Sequence, residues 1–164
     1  MESLTTSREV EEIRRLTCAD WIEYRRLRLQ ALRCIPGSFA GSPASELGFS
    51  EGHWRRQLDA LLSTVYGLIA DDVLWAMATL ADSASAQMLT GFYVDSSRRR
   101  RGYASRLLRG LLAFADVAVV LAVDKQNVAA LSLYQQHGFV VKGEDSTMMN
   151  GHKVQTWRMR CEVS

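Results

Sequence analysis

Residues 87–123 constrain the fold of this chain most tightly. An apolar run at 87–94 leads into a basic turn, Asp95-Ser-Ser-Arg-Arg-Arg-Arg-Gly102. Beyond it Ala104, Leu107, Leu108, Leu111, Leu112 and Ala115 recur at i, i+3, i+4, i+7, i+8 and i+11. That spacing puts all of them on one side of an α-helix, a side too apolar to face water. A wholly apolar run at 117–123 follows, as expected of a strand covered on both faces. Strand, helix and strand therefore predict a β-α-β crossover, with the two strands parallel and the helix lying on their sheet.

Around this unit the remaining signals predict antiparallel pairing. Residues 10–16 make an opening strand, and Thr17-x-x-Asp20 has the form of a capping box ahead of a helix carrying Trp21, Tyr24, Leu27 and Ala31, which Pro36-Gly37 ends. Residues 38–52, rich in Ser and Gly, read as a long loop leading into a short helix over 54–62. Runs at 64–70, 73–81 and 87–94, separated by Asp71-Asp72 and by 82–85, predict a three-stranded meander. Asn127 caps a second helix ending at His137-Gly138, a strand starts at Phe139, and a hairpin at Asn150-Gly151 returns through 154–161. The expected fold class is α/β: a mixed, predominantly antiparallel sheet of six to seven strands with helices on both faces. At 164 residues, 48% hydrophobic and 23% charged, the chain is expected to form a single domain over 1–164.

Several function classes are disfavoured. The longest apolar run is far too short to cross a bilayer and the amino terminus is polar, so the expectation is a cytoplasmic protein with no membrane partner. Cys18, Cys34 and Cys161 lie far apart, giving neither a disulfide framework nor ligand spacing, and the histidines His53, His137 and His152 show no metal-binding pattern, so no metal is expected. Gly48-Phe-Ser50-Glu-Gly52 matches a hydrolase nucleophile elbow, but no buried strand precedes the serine. The net charge is only +2, yet six arginines fall between Arg98 and Arg109 with no acidic residue among them. A concentrated positive patch on a nearly neutral chain points to a small polyanion rather than to nucleic acid.

A strand-to-helix turn suits such an anion, because the first amides of a helix have no carbonyl partner and stand at the positive end of its dipole. The pattern Arg99-x-x-Gly102-x-Ala104 resembles the pyrophosphate-binding motif of the GNAT-type N-acetyltransferase superfamily, and Asn127-x-x-Ala130-x-x-Leu133-Tyr134-x-x-x-Gly138-Phe139 is similar to a second segment of the same superfamily. The likeness is closest over residues 87–139. It implies a GNAT-like acyl-CoA N-acyltransferase fold with acetyl-CoA as co-substrate. Arg99, Arg100, Arg101, Gly102, Tyr103, Ala104 and Ser105 would hold the diphosphate with help from Asn127. The backbone of Phe92, Tyr93 and Val94 would bind the pantetheine arm where the strand, bulged near Gly91, splays from its parallel neighbour. Tyr134 would protonate the departing thiolate. Two positions depart from the usual turn: Arg100 stands where the family commonly has glycine, and Ser96 where it commonly has proline.

The implied activity is transfer of the acetyl group of acetyl-CoA to a primary amine of a small molecule or of a peptide or protein. Alternatives are a catalytically silent coenzyme-A-binding sensor, or a phosphate-backbone binding module built on Arg98 to Arg101. No general base stands out: Glu46, Glu51, Asp82, Glu144 and His152 are candidates. The acceptor would enter between residues 38–52 and the final hairpin, where Glu46, Glu51 and Glu144 could attract a cation. The terminal strands could pair two copies into a homodimer.

Overall fold

The computed structural model describes residues 10–35, 41–149 and 151–163. Pro36-Gly37, residues 38–40 and Asn150, on which parts of the reading above rest, lie outside these. Strand β1 (Glu11–Arg15) is followed by a 3-10 turn (Cys18–Asp20) and helix α1 (Trp21–Cys34). The Thr17–Asp20 capping box is present, with the Thr17 amide donating to Asp20 Oδ2 at 2.7 Å. Helices α2 (Pro43–Leu47) and α3 (Glu51–Leu58), strands β2 (Ser63–Ala70), β3 (Val73–Asp82) and β4 (Gln87–Val94), and helix α4 (Tyr103–Phe114) come next. Strand β5 (Val119–Asp124), helix α5 (Val128–Gln136) and strands β6 (Val140–Met149) and β7 (His152–Cys161) complete the order.

All seven strands form one sheet, ordered β1-β2-β3-β4-β5-β7-β6. Every pairing is antiparallel except β4 with β5, the two strands joined through α4, as the crossover requires. Apolar helix faces bury against both sides. Leu107, Leu108 and Leu111 of α4 and Tyr134 of α5 close one core over β3, β4, β5 and β7. Tyr24, Leu27 and Leu32 of α1 and Trp54 and Leu58 of α3 close the other, over β2, β3 and β4. A fully buried leucine contributes about 1.5–3 kcal/mol, so the three α4 leucines alone seat that helix firmly on the sheet.

Two expectations are corrected. The described part of the expected loop, residues 41–52, is not loop throughout: Ser42 and Ser50 each accept an amide hydrogen bond, from Ser45 (3.3 Å) and His53 (3.1 Å), and so start α2 and α3. The serine of the apparent nucleophile elbow is thus a helix cap, and α3 ends before Leu61 and Leu62, both exposed. Nor is β5 covered on both faces. Val119, Leu121 and Val123 are buried against the α4 and α5 side, whereas Ala122 and Asp124 are exposed, because the α1 and α3 layer stops at β4. The strand also begins at Val119 rather than at the exposed Val117.

Candidate active site

The site starts at a helix that nothing caps. Side chains close the amino ends of α2, α3 and α5, through Ser42, Ser50 and Asn127. At α4 the cap position is Gly102, with φ 78° and no side-chain cap. The first backbone bond within the helix runs from the Arg106 amide to the Gly102 carbonyl at 3.0 Å. The amides of Tyr103, Ala104 and Ser105 therefore have no acceptor among the described residues, and they stand together at the positive end of the dipole. This is an anion-binding geometry. The Tyr103 side chain is buried in the core, so its amide is the part available to a ligand.

The turn ahead of α4 owes its shape to polar contacts reaching over from α1. Asp95, only 4% exposed, accepts from the Ser97 amide (2.9 Å) and hydroxyl (2.7 Å) on one oxygen and from Arg26 Nη1 (3.0 Å) on the other. Gln30 Oε1 accepts from the Ser96 amide (3.0 Å) and from the Tyr93 hydroxyl (2.8 Å). Arg26 also donates to the Leu74 carbonyl at 2.7 Å. Burial alone would raise the Asp95 carboxyl, but the Ser97 donors and Arg26 outweigh it and hold the group below the ordinary carboxylate range. Arg100 has φ 62°, a left-handed conformation that costs a non-glycine residue about 1 kcal/mol. The turn therefore keeps the conformation a glycine would favour and places an exposed cation on it.

The positive side chains divide by use. Arg106 is tied to Glu11 and to the Arg101 carbonyl at 2.7 and 2.9 Å, which fixes β1 against the helix end. The Arg98 guanidinium lies 4.0 Å from the Trp75 ring centroid and that of Arg99 lies 5.6 Å from Tyr93, stacking that holds both near the turn. Arg99, Arg100 and Arg101 are all exposed and ready to meet an anion.

Strands β4 and β5 pair only at Gln87–Val119 and Met88–Val120 and part beyond that point. On the other side, the β3 register shifts between Met77, opposite Tyr93, and Thr79, opposite Thr90, which inserts an extra residue in β4. Gly91, with φ 61°, sits in this bulge. The backbone of Phe92, Tyr93 and Val94 therefore lies along an opening in the sheet. Tyr134 borders it: its ring meets Phe92 edge-on at 6.2 Å and Phe139 at 5.6 Å. The ring is buried, its hydroxyl has no hydrogen-bond partner among the described residues, and burial pushes its pKa up to about 12. It is thus a proton donor across the neutral range. Asn127 is exposed, and its Oδ1 accepts from the Ala130 amide at 3.1 Å, which leaves its amide nitrogen available to a ligand.

The acidic candidates fare differently. Glu46 is buried against Arg28 (3.1 Å), Glu51 pairs with Arg55 (2.8 Å), Glu144 with Lys125 (2.8 Å), and Asp82 accepts from Gln87 at 2.8 Å. Glu46 is therefore neutralised inside the protein rather than displayed to a cation, which corrects the expectation for it. His152 lies exposed at the β6–β7 hairpin. Sequence reading missed Arg26, Gln30 and Asp95 as builders of the turn. An aspartate directly before Ser-Ser was a local turn signal, but its partners on α1 lie more than sixty positions away. Among the described residues no cluster of His, Cys, Asp and Glu could hold a metal ion, and no helix is long and apolar enough to cross a membrane.

The Acetyltransferase (GNAT) family model matches residues 29–139, two thirds of the chain, and the chain belongs to that family. Its co-substrate is acetyl-CoA, and the free amides of α4, the exposed arginines and the opened edge of β4 suit such a ligand. The fold is similar to that of a ribosomal-protein-S5-alanine acetyltransferase from Vibrio fischeri, at TM-score 0.82 and 13% identity over 95% of this chain and 94% of that one. It is also similar to yncA, a putative acetyltransferase from Salmonella typhimurium solved with its cofactor acetyl-CoA, at TM-score 0.77 and 18% identity over 94% and 95%. A chimera of the Vibrio cholerae spermidine N-acetyltransferase SpeG and hSSAT matches at TM-score 0.73 and 17% identity over 93% and 95%. No curated protein matches the sequence.

Proposed function

We propose that the chain acts as one N-acetyltransferase domain that passes the acetyl group of acetyl-CoA directly to a primary amine of a small molecule, peptide or protein. The observation that carries this reading is the opening of β4 from β5 between the uncapped end of α4 and the Tyr134 ring. The amides of Tyr103, Ala104 and Ser105, with Gly102 and Arg99, Arg100 and Arg101, bind the diphosphate. Asn127 adds its side-chain amide. The edge of Phe92, Tyr93 and Val94 takes the pantetheine arm as an added strand would be taken, and an amide there steadies charge on the thioester oxygen.

A neutral amine attacks the thioester carbon, and a C–N bond forms as the carbonyl oxygen takes up the electron pair. Collapse breaks the C–S bond, and the Tyr134 hydroxyl gives its proton to the thiolate. The proton lost by the amine passes to water and the phenolate is reprotonated, so the products are an acetamide and coenzyme A, with no covalent enzyme adduct. Relatives of similar fold include enzymes named for spermidine and for ribosomal-protein alanine, which supports an amine acceptor without choosing its class. The side of β5 that α1 and α3 leave uncovered, around the exposed Ala122, is where the acceptor reaches the opening. We place the protein in the cytoplasm.

Release of free thiol from acetyl-CoA, measured across a panel of polyamines, amino acids, aminoglycosides and peptides, tests this reading. Acetylation of at least one amine is expected. Coenzyme A binding without transfer to any amine would favour a silent sensor domain.

A further inference from the structure

Helix α5 ends on a turn in which the His137 and Phe139 amides both donate to the Tyr134 carbonyl, at 3.1 and 3.0 Å. This turn carries the His137 ring back across to α4, where Nε2 lies 2.7 Å from Ser105 Oγ. Ser105 is the third residue of α4, and its own amide is one of the three without an acceptor. The side chain at the carboxyl cap of α5 thus bonds the hydroxyl of a residue whose amide belongs to the cradle, thirty-two positions away in sequence.

We propose that His137 is a positioning residue for the coenzyme: by donating from Nε2–H to Ser105 Oγ it frees the Ser105 hydroxyl proton for a diphosphate oxygen and holds the hydroxyl in one orientation. The geometry carries this. A serine hydroxyl has one proton and two acceptor sites. If the proton is spent on His137, the oxygen turns lone pairs towards an anion, which is repulsive. If Nε2 supplies the hydrogen, the serine proton is left over for the anion. The diphosphate therefore selects one tautomer of the ring.

The groups around His137 fit a neutral ring that can choose. Arg109, from α4, is the charged side chain that acts on it, and from β7 the Cys161 thiol donates to the His137 carbonyl at 3.6 Å. Burial, with Arg109 second, keeps the imidazole below its ordinary pKa. A neutral imidazole carries one N–H, and either nitrogen can hold it.

The inference rests on the coenzyme reading above, and calorimetry with coenzyme A and with dephospho-coenzyme A, which keeps the diphosphate and lacks the 3′-phosphate, separates the two. His137→Ala and Ser105→Ala are each expected to weaken both ligands about tenfold, the worth of one hydrogen bond to a charged group. The double variant should bind no more weakly than Ser105→Ala alone. His137→Gln, whose side-chain N–H can replace Nε2–H, and Ser105→Thr, which keeps the hydroxyl, should restore most of the affinity, whereas a purely structural loss would not be repaired in this way. Wild-type affinity in His137→Ala, additive losses in the double variant, or a loss that disappears with dephospho-coenzyme A would each overturn the inference while leaving the coenzyme reading intact. Failure of the wild-type protein to bind either ligand would overturn both.

Discussion

Tyr134 is the proton donor in the proposed chemistry, and its environment determines what it can do. A phenol pushed up to about 12 by burial stays protonated wherever the protein is folded and active, so its own ionisation contributes no inflection to a neutral pH–rate profile. Tyr134→Phe keeps the ring contacts with Phe92 and Phe139 and removes only the hydroxyl with its proton. It is expected to lower kcat by about a hundredfold, the lower range for a general acid, with little change in KM for acetyl-CoA or in melting temperature; an unchanged kcat would remove Tyr134 from the mechanism. Asp95 is the residue on which the turn depends. Asp95→Asn removes the buried carboxylate from Arg26, which keeps Glu23 at 3.2 Å, and should cost about 1.5 kcal/mol of stability, read by urea unfolding, and it should raise KM for acetyl-CoA more than it lowers kcat. Because the Asp95 pKa is depressed in the folded state, its contribution is present above the ordinary carboxylate pKa and is lost as the pH falls through the lower, folded value. The stability gap between wild type and Asp95→Asn should therefore narrow in acid, below about pH 4, and a gap that widened there would contradict the assignment.

At the scale of elements, two backbone features shape the proposed site: the bulge in β4 and the bare end of α4. Gly91→Val places a branched side chain at φ 61°, so a cost of about 2 kcal/mol and a several-fold weaker grip on coenzyme A are expected by thermal melting and calorimetry. A variant as stable and as tight as wild type would show that the bulge is not needed. These elements differed in how far they could be read in advance. The α4 helix was legible because Leu107, Leu108 and Leu111 obey a period that only one side of a helix satisfies, whereas the bulge was expected only from the family resemblance, with Gly91 the place in the run where the backbone could be irregular. The cap serines at 42 and 50 were hidden in a stretch whose composition reads as loop, since five-residue and eight-residue helices are too short to show a period. The half-open face of β5 could not be read from its sequence: Ala122 is apolar and exposed, and its exposure depends on where α1 and α3 stop, a property of other segments.

For the whole molecule, one sheet with a core on each face is opened along the β4–β5 line, so filling that opening should bind the halves of the sheet together. Binding to the folded state alone stabilises it by about 2.7 kcal/mol at a hundred times Kd, which for a chain of this size corresponds to a rise of roughly 5–10 °C in Tm. Coenzyme A should produce that rise, and pantetheine, which lacks the diphosphate, should produce little of it at equal concentration; equal shifts would argue that the amide cradle contributes nothing. Backbone amide resonances followed by NMR during a titration with coenzyme A test the central claim most directly. The shifts of Gly102, Tyr103, Ala104 and Ser105 are predicted to move most, together with those of Phe92, Tyr93 and Val94. Saturable binding that left the Tyr103, Ala104 and Ser105 amides unmoved would contradict the account.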